Sequence, residues 1–141
     1  MAKIMLDQTE PVVRVMREAA QAARRVGRTV LTPPDVFRAL LEMPDGFHLR
    51  VLVDGLGLDL NALRTAANIW ETGPDLGQDW ALVILLTASG EAVVALKPYI
   101  STEHVLLALL HLWPQAPCSE TVLKAAGGSV QSVRSIVTSK W

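Results

Sequence analysis

Two stretches of this chain, 69 residues apart, carry the same apolar pattern. Thr32-Pro33-Pro34-Asp35-Val36-Phe37-Arg38-Ala39-Leu40-Leu41 and Ser101-Thr102-Glu103-His104-Val105-Leu106-Leu107-Ala108-Leu109-Leu110 place Val36, Ala39, Leu40 and Leu41 on Val105, Ala108, Leu109 and Leu110. A shift of 70 then sets Gly57, Leu60, Leu63 and Arg64 on Gly127, Val130, Val133 and Arg134. The one-residue slip falls in a loop between helices, where an insertion is tolerated. A repeat unit of this size buries its apolar face against its neighbour, so the duplication calls for two similar halves sharing one core.

Nearly every periodic segment in both halves has the helical period. Val12, Met16, Ala19, Ala23 and Val26 follow i, i+3/i+4 spacing, Thr9 precedes them as an N-cap, Pro11 sits in the first turn and Gly27 stops the run. That predicts a helix from about Glu10 to Val26. A second helix starts at Thr32–Asp35 and ends at Pro44-Asp45-Gly46. A short one runs through His48 to Val53, is broken at Gly55 and Gly57, and is followed by a helix capped by Asp59. Glu71 to Gly77 reads as a linker. The order then repeats. A long helix runs from about Asp79 to Leu96, apolar nearly all round and so expected to be buried. Ser101 or Thr102 caps the next, residues 114–117 form a loop, a short helix runs through Thr121 to Ala126, and Ser129 caps a final helix.

No segment carries a strand pattern. The expectation is an all-α fold of eight helices in two pseudo-symmetric four-helix repeats packed as one domain over residues 1–141. Repeat one covers about 8–70, the linker 71–77 and repeat two 78–140.

Composition narrows the function classes. The chain has 141 residues, 50% of them hydrophobic and 19% charged, which suits a well-packed domain and not a disordered one. Thirteen basic against fourteen acidic residues leave a net charge of -1, which points to neither nucleic acid nor an anionic membrane. The longest strictly apolar run is Trp80–Leu86, far short of the roughly 20 residues of a spanning helix. The N-terminus has no signal-peptide pattern, and Cys118 is the only cysteine, so a cytoplasmic protein is expected.

There is no phosphate-binding G-x-x-x-x-G-K-[ST], no G-x-S-x-G, no H-E-x-x-H and no C-x-x-C, so no enzyme class, cofactor or metal is indicated. Glu103 and His104 are adjacent and point in different directions on a helix. His104, His111 and Cys118 do not supply converging ligands locally. Glu103 in a first helical turn complements the helix dipole, and a carboxylate exposed at a helix mouth is available for binding. Arg14, Arg17, Gln21, Arg24 and Arg28 form a stripe opposite the apolar side of the first helix. It reads as a solvated face or, functionally, as a surface for an acidic partner. The four tryptophans lie mostly at helix ends, with Trp113 either a binding anchor or half-buried there.

The duplicated pattern resembles the N-terminal double-Clp-repeat domain of Clp AAA+ unfoldases, most closely the ClpC and ClpA type. The resemblance rests on Thr9-Glu10, Ala19-Ala20, Val26-Gly27, residues 44–52 and Leu56–Asp59 in the first half. In the second it rests on Glu91-Ala92, Tyr99 to Leu110, Val122-Leu123 and Val133-Arg134. It covers about residues 8 to 138. It implies a non-enzymatic module that recruits protein substrates or adaptors to a Clp ATPase and its peptidase. In the ClpC type each half holds a phosphoarginine, with the glutamate of "TEH" on the guanidinium and the threonine of "FTERA" by the phosphate. Carried over, Thr9 matches the first threonine, but its partner glutamate falls on Pro34. Glu103, beside Thr102, matches the second glutamate, but its partner threonine falls on Gln78. Neither half keeps both residues, so the first site is expected to be lost for phosphoarginine and the second degenerate, with Asp35 the only local carboxylate available to substitute. The alternative implied by Leu107 standing opposite Arg38 is an oligomerisation domain without ligand binding.

Overall fold

The computed structural model describes residues 5–43, 54–70 and 79–140, with the side chains of 138–140 excepted. The chain order is β1 (Asp7–Gln8), α1 (Glu10–Arg25), α2 (Pro33–Leu41), α3 (Leu60–Ile69), α4 (Trp80–Val94), β2 (Tyr99–Ile100), α5 (Thr102–Leu112), α6 (Pro117–Ala125) and α7 (Val130–Lys140). Residues 54–56 are helical too, which makes eight helical segments among the described residues. The expected short helix through His48–Val53 and the expected linker at 71–77 lie outside the described residues.

Local chemistry sets most boundaries. Asp59 accepts from the Asn61 amide at 2.9 Å, and Asp79 accepts from the Leu82 amide at 3.1 Å, so each caps its helix. Ser129 Oγ takes the Ser132 amide at 3.1 Å. Thr32 and Ser101 each open a capping box, with Asp35 and His104 three residues on returning a bond to the cap amide. Gly57 and Gly127, matched by the repeat, both take positive φ, at 70° and 103°.

The halves meet through α3 with α6, α2 with α5 and β1 with β2, and a single core cluster draws on both. α5 is the central element: every residue from Thr102 to Leu110 is buried. Val105, Leu106, Leu109 and Leu110 are fully enclosed, each stabilising the fold by roughly 1.5–3 kcal/mol. Three pairs equated by the repeat share one fate: Val36 with Val105, Leu40 with Leu109 and Leu63 with Val133 are all 0% exposed. Trp113 is half-buried and packs edge-on against Trp70 and Trp80, with centroids 6.1 and 5.4 Å apart.

Three expectations are corrected. A two-stranded parallel ladder exists, pairing Asp7 with Tyr99 and Gln8 with Ile100. Two residues per strand are too few to leave an alternating pattern, and the pairing is tertiary. α6 begins at Pro117, four residues before Thr121, because a proline in the first turn has no amide to satisfy. α4 is not wrapped on all sides. Ile84, Leu85, Ala88 and Ala92 are buried against α5 and β2, while Leu82, Leu86, Val93 and Val94 are exposed. An all-round apolar sequence cannot tell a helix with neighbours on every side from one with an open flank.

Candidate functional site

The two capping boxes mark two helix mouths, one per half, and their side-chain chemistry differs. At the first mouth Asp35 is 1% exposed. Its Oδ2 accepts from the Thr32 amide and hydroxyl, both at 2.9 Å. Arg28 grips both its oxygens, at 2.5 and 3.0 Å, and Arg38 adds a bond to Oδ1 at 2.7 Å. Burial alone would raise the Asp35 pKa. The Arg28 guanidinium, through hydrogen bonding and charge, and the Thr32 donors outweigh it and hold the carboxyl below its usual 3.8. The carboxylate proposed to replace the glutamate missing at Pro34 is therefore already loaded with two guanidinium groups of its own chain. Pro34 is buried beside it.

Over this mouth, between α1 and α2, lies a groove of about 590 Å³. Its charged lining is Arg14, Arg25, Arg28 and Arg38 with Glu18, Asp35 and Glu42; its apolar lining is Ala22, Val26, Ala39 and Met43. Glu42 is taken by Arg64 at 2.7 Å, and Arg38 also donates to Asn68 at 3.1 Å. Arg14 and Arg28 belong to the stripe seen in the sequence; Arg25, in the last turn of α1, and Arg38, on α2, do not.

At the second mouth His104 replaces aspartate in the box, with the Ser101 amide donating to its Nδ1 at 2.9 Å. That bond leaves the ring proton on Nε2, which lies 3.8 Å from Glu103 Oε1. Glu103 is 7% exposed, so it is not the solvent-facing carboxylate the sequence suggested. It turns from the helix start into a cavity of about 140 Å³ lined also by Glu91, Lys97, His104, Leu107 and Arg134. Arg134 clamps Glu91 Oε2 at 2.6 and 3.1 Å. The cavity thus carries both signs of charge in a partly desolvated setting.

Thr9 is the N-cap of α1, and its amide donates to the Ile100 carbonyl at 3.0 Å. β1 and β2 therefore bring the start of α1 alongside the residue that precedes Ser101. Thr9 adjoins the second mouth, the one that holds Glu103, although the duplicated pattern assigns it to the first half. Thr102 is buried at the start of α5. Gln78 lies outside the described residues. Sequence reasoning missed Glu91 and Arg134 as cavity residues and Arg38 as an Asp35 partner. All three stood in the repeat or the resemblance only as matched positions, with no role at a site.

Chemistry of other kinds finds little footing. Cys118 is buried, donates to the Leu63 carbonyl at 3.6 Å, and burial pushes its thiol up to about 12, so it stays protonated at neutral pH. Among the described residues no three of His, Cys, Asp and Glu gather as a metal site. No helix among them is long and apolar enough to cross a membrane.

No protein-family model matches the chain, and no curated protein does. Solved structures do. A protein from structural investigations of a malarial protein secretion system matches at 16% identity and a TM-score of 0.71, over 95% of this chain and 94% of that one. The Hsp104 N-terminal domain of Candida albicans matches at 19% identity and 0.64, over 93% and 89%. The N-terminal domain of the chaperone ClpD of Arabidopsis thaliana matches at 18% identity and 0.56, over 94% and 96%. Nearly full coverage on both sides means that the whole double repeat is shared. The chain has the fold of the N-terminal domains of Clp and Hsp104 chaperones.

Proposed function

We propose that this chain is a non-catalytic protein-binding module of the Clp type, recruiting substrates or adaptors for an AAA+ unfoldase and its peptidase. The observation that carries the reading is the double repeat matched end to end in N-terminal domains of such chaperones. The cavity of the second mouth supports it. Glu103 suits a guanidinium and Lys97 an anion attached to it, beside a Glu91–Arg134 pair that is already closed. In this reading Glu103 holds an arginine or phosphoarginine side chain of the recruited protein, with Thr9 and Thr102 at its edge; Gln78, which the resemblance would add, lies outside the described residues.

The test is a titration of the chain with phosphoarginine, an arginine-rich peptide and an unfolded protein, repeated with Glu103→Gln. Loss of about tenfold in affinity, about 1.4 kcal/mol, is expected for the arginine-bearing ligands. Unchanged affinity for every ligand would remove Glu103 from the site.

A second reading, a self-association domain, is favoured by the exposed apolar flank of α4 at Leu82, Leu86, Val93 and Val94. It predicts a concentration-dependent increase in mass in sedimentation, abolished by Leu86→Lys, with no ligand binding.

A further inference from the structure

The first mouth poses a different problem from the second, and its chemistry is complete enough to name a ligand. A carboxylate at a helix mouth attracts cations only while it can be reached. The Asp35 side chain is 0% exposed and is covered by Arg28 and Arg38, whose side chains remain 32% and 39% exposed on the groove side. The surface presented at this mouth is therefore guanidinium and not carboxylate. Arg25, exposed in the last turn of α1, has no ion pair among the described residues and stands on the same groove. Of the carboxylates on the lining among the described residues, Asp35 is sealed and Glu42 is bound to Arg64, which leaves Glu18 as the opposing charge with no ion pair. The floor between these charges is aliphatic, formed by Ala22, Val26, Ala39 and Met43.

Arginines flanking an aliphatic trough suit a ligand with carboxylates on either side of an apolar side chain. The guanidinium fork meets each carboxylate in a bidentate pair, and the trough takes the apolar group. A cationic peptide would meet like charge, and a purely apolar one would leave Arg25 without a counter-charge, whereas Arg28 and Arg38 share the single charge of Asp35 and Arg14 pairs with Glu10. We infer that the groove between α1 and α2 binds an acidic peptide segment with an aliphatic residue among its carboxylates, so that the two mouths of the duplicated domain select ligands of opposite charge. This inference deepens the protein-binding reading and rests on it.

The experiment uses the whole chain and two labelled synthetic peptides, one of alternating glutamate and leucine, the other with lysine for each glutamate. Binding is followed by fluorescence anisotropy at low and at raised salt. The acidic peptide is expected to bind saturably, to weaken as salt shortens the reach of the charges, and to bind at least tenfold more tightly than the lysine peptide. Arg25→Glu is expected to weaken it about tenfold and Arg25→Lys far less. Arg25 is exposed, so both variants keep the wild-type circular dichroism spectrum. Equal binding of the two peptides by the Glu103→Gln chain, whose second mouth has lost its cation-binding carboxylate, or acidic-peptide binding indifferent to Arg25→Glu, overturns the proposal. If the acidic peptide fails while an arginine-bearing ligand still binds in a Glu103-dependent way, the inference falls and the protein-binding reading stands. If neither peptide, nor phosphoarginine, nor an unfolded protein binds, both fall.

Discussion

Laid over one another, the two halves have the same bones and different skins. Each long helix ends with a backbone reversal, and its bonds are the same in both copies. The Gly27 amide donates to Arg24 and Arg28 to Ala23; the Leu96 amide donates to Val93 and Lys97 to Ala92. The residue in the left-handed region is glycine in one copy, at φ 82°, and leucine in the other, at φ 59°. Each mouth has a capping box, closed by aspartate in one and histidine in the other. α1 shows solvent a face of arginines, whereas α4 shows leucines and valines. Backbone geometry is what the duplication preserves, because the shared core demands it. The surface chemistry at equivalent places has diverged, so what one half binds cannot be read from the other.

The sharpest break in this comparison comes at Asp35. Asp35→Ala removes a buried charge that two arginines and a cap amide share, and is expected to cost about 3 kcal/mol in urea unfolding. The same residue sets a pH dependence with a fixed sign. Its folded pKa lies below its unfolded value, so its contribution is complete above about pH 4 and is lost as pH falls through the lower folded value. The stability gap between wild type and Asp35→Asn therefore narrows on acidification and does not widen. His104→Ala, the matching change in the second half, forfeits a cap bond and fills nothing in its place, at about 2 kcal/mol. The smallest effect is a gain. Leu96→Gly relieves an unfavourable backbone conformation in an exposed side chain and is expected to stabilise the chain by about 1 kcal/mol, read as a higher midpoint of thermal unfolding. Gly27→Leu should show the reverse.

Much of the fold was legible because it depends on local rules. The apolar period, the caps at Asp59 and Ser129, and the paired glycines Gly57 and Gly127 all act within a few residues. The β1–β2 ladder was hidden because it joins residues some ninety positions apart and has no pattern of its own. The open flank of α4 was hidden because its sequence is equally apolar on both sides, and only the packing says which side is covered.

The candidate site was half legible. Glu103, Thr9 and Asp35 stood out by residue type and place, but their states did not. The sequence shows that Asp35 sits at a helix start. That Arg28 and Arg38 close over it depends on how α1 and α2 cross. The burial of Glu103 depends likewise on α7 delivering Arg134 to Glu91 beside it.

The central claim is that one duplicated domain carries two binding mouths of opposite charge preference. The most direct measurement is a crossed titration: the glutamate-leucine peptide and phosphoarginine, each against wild type, Arg25→Glu and Glu103→Gln. The account predicts that Arg25→Glu weakens only the acidic peptide and Glu103→Gln weakens only phosphoarginine. Both substitutions weakening the same ligand equally, or neither weakening any, would contradict it.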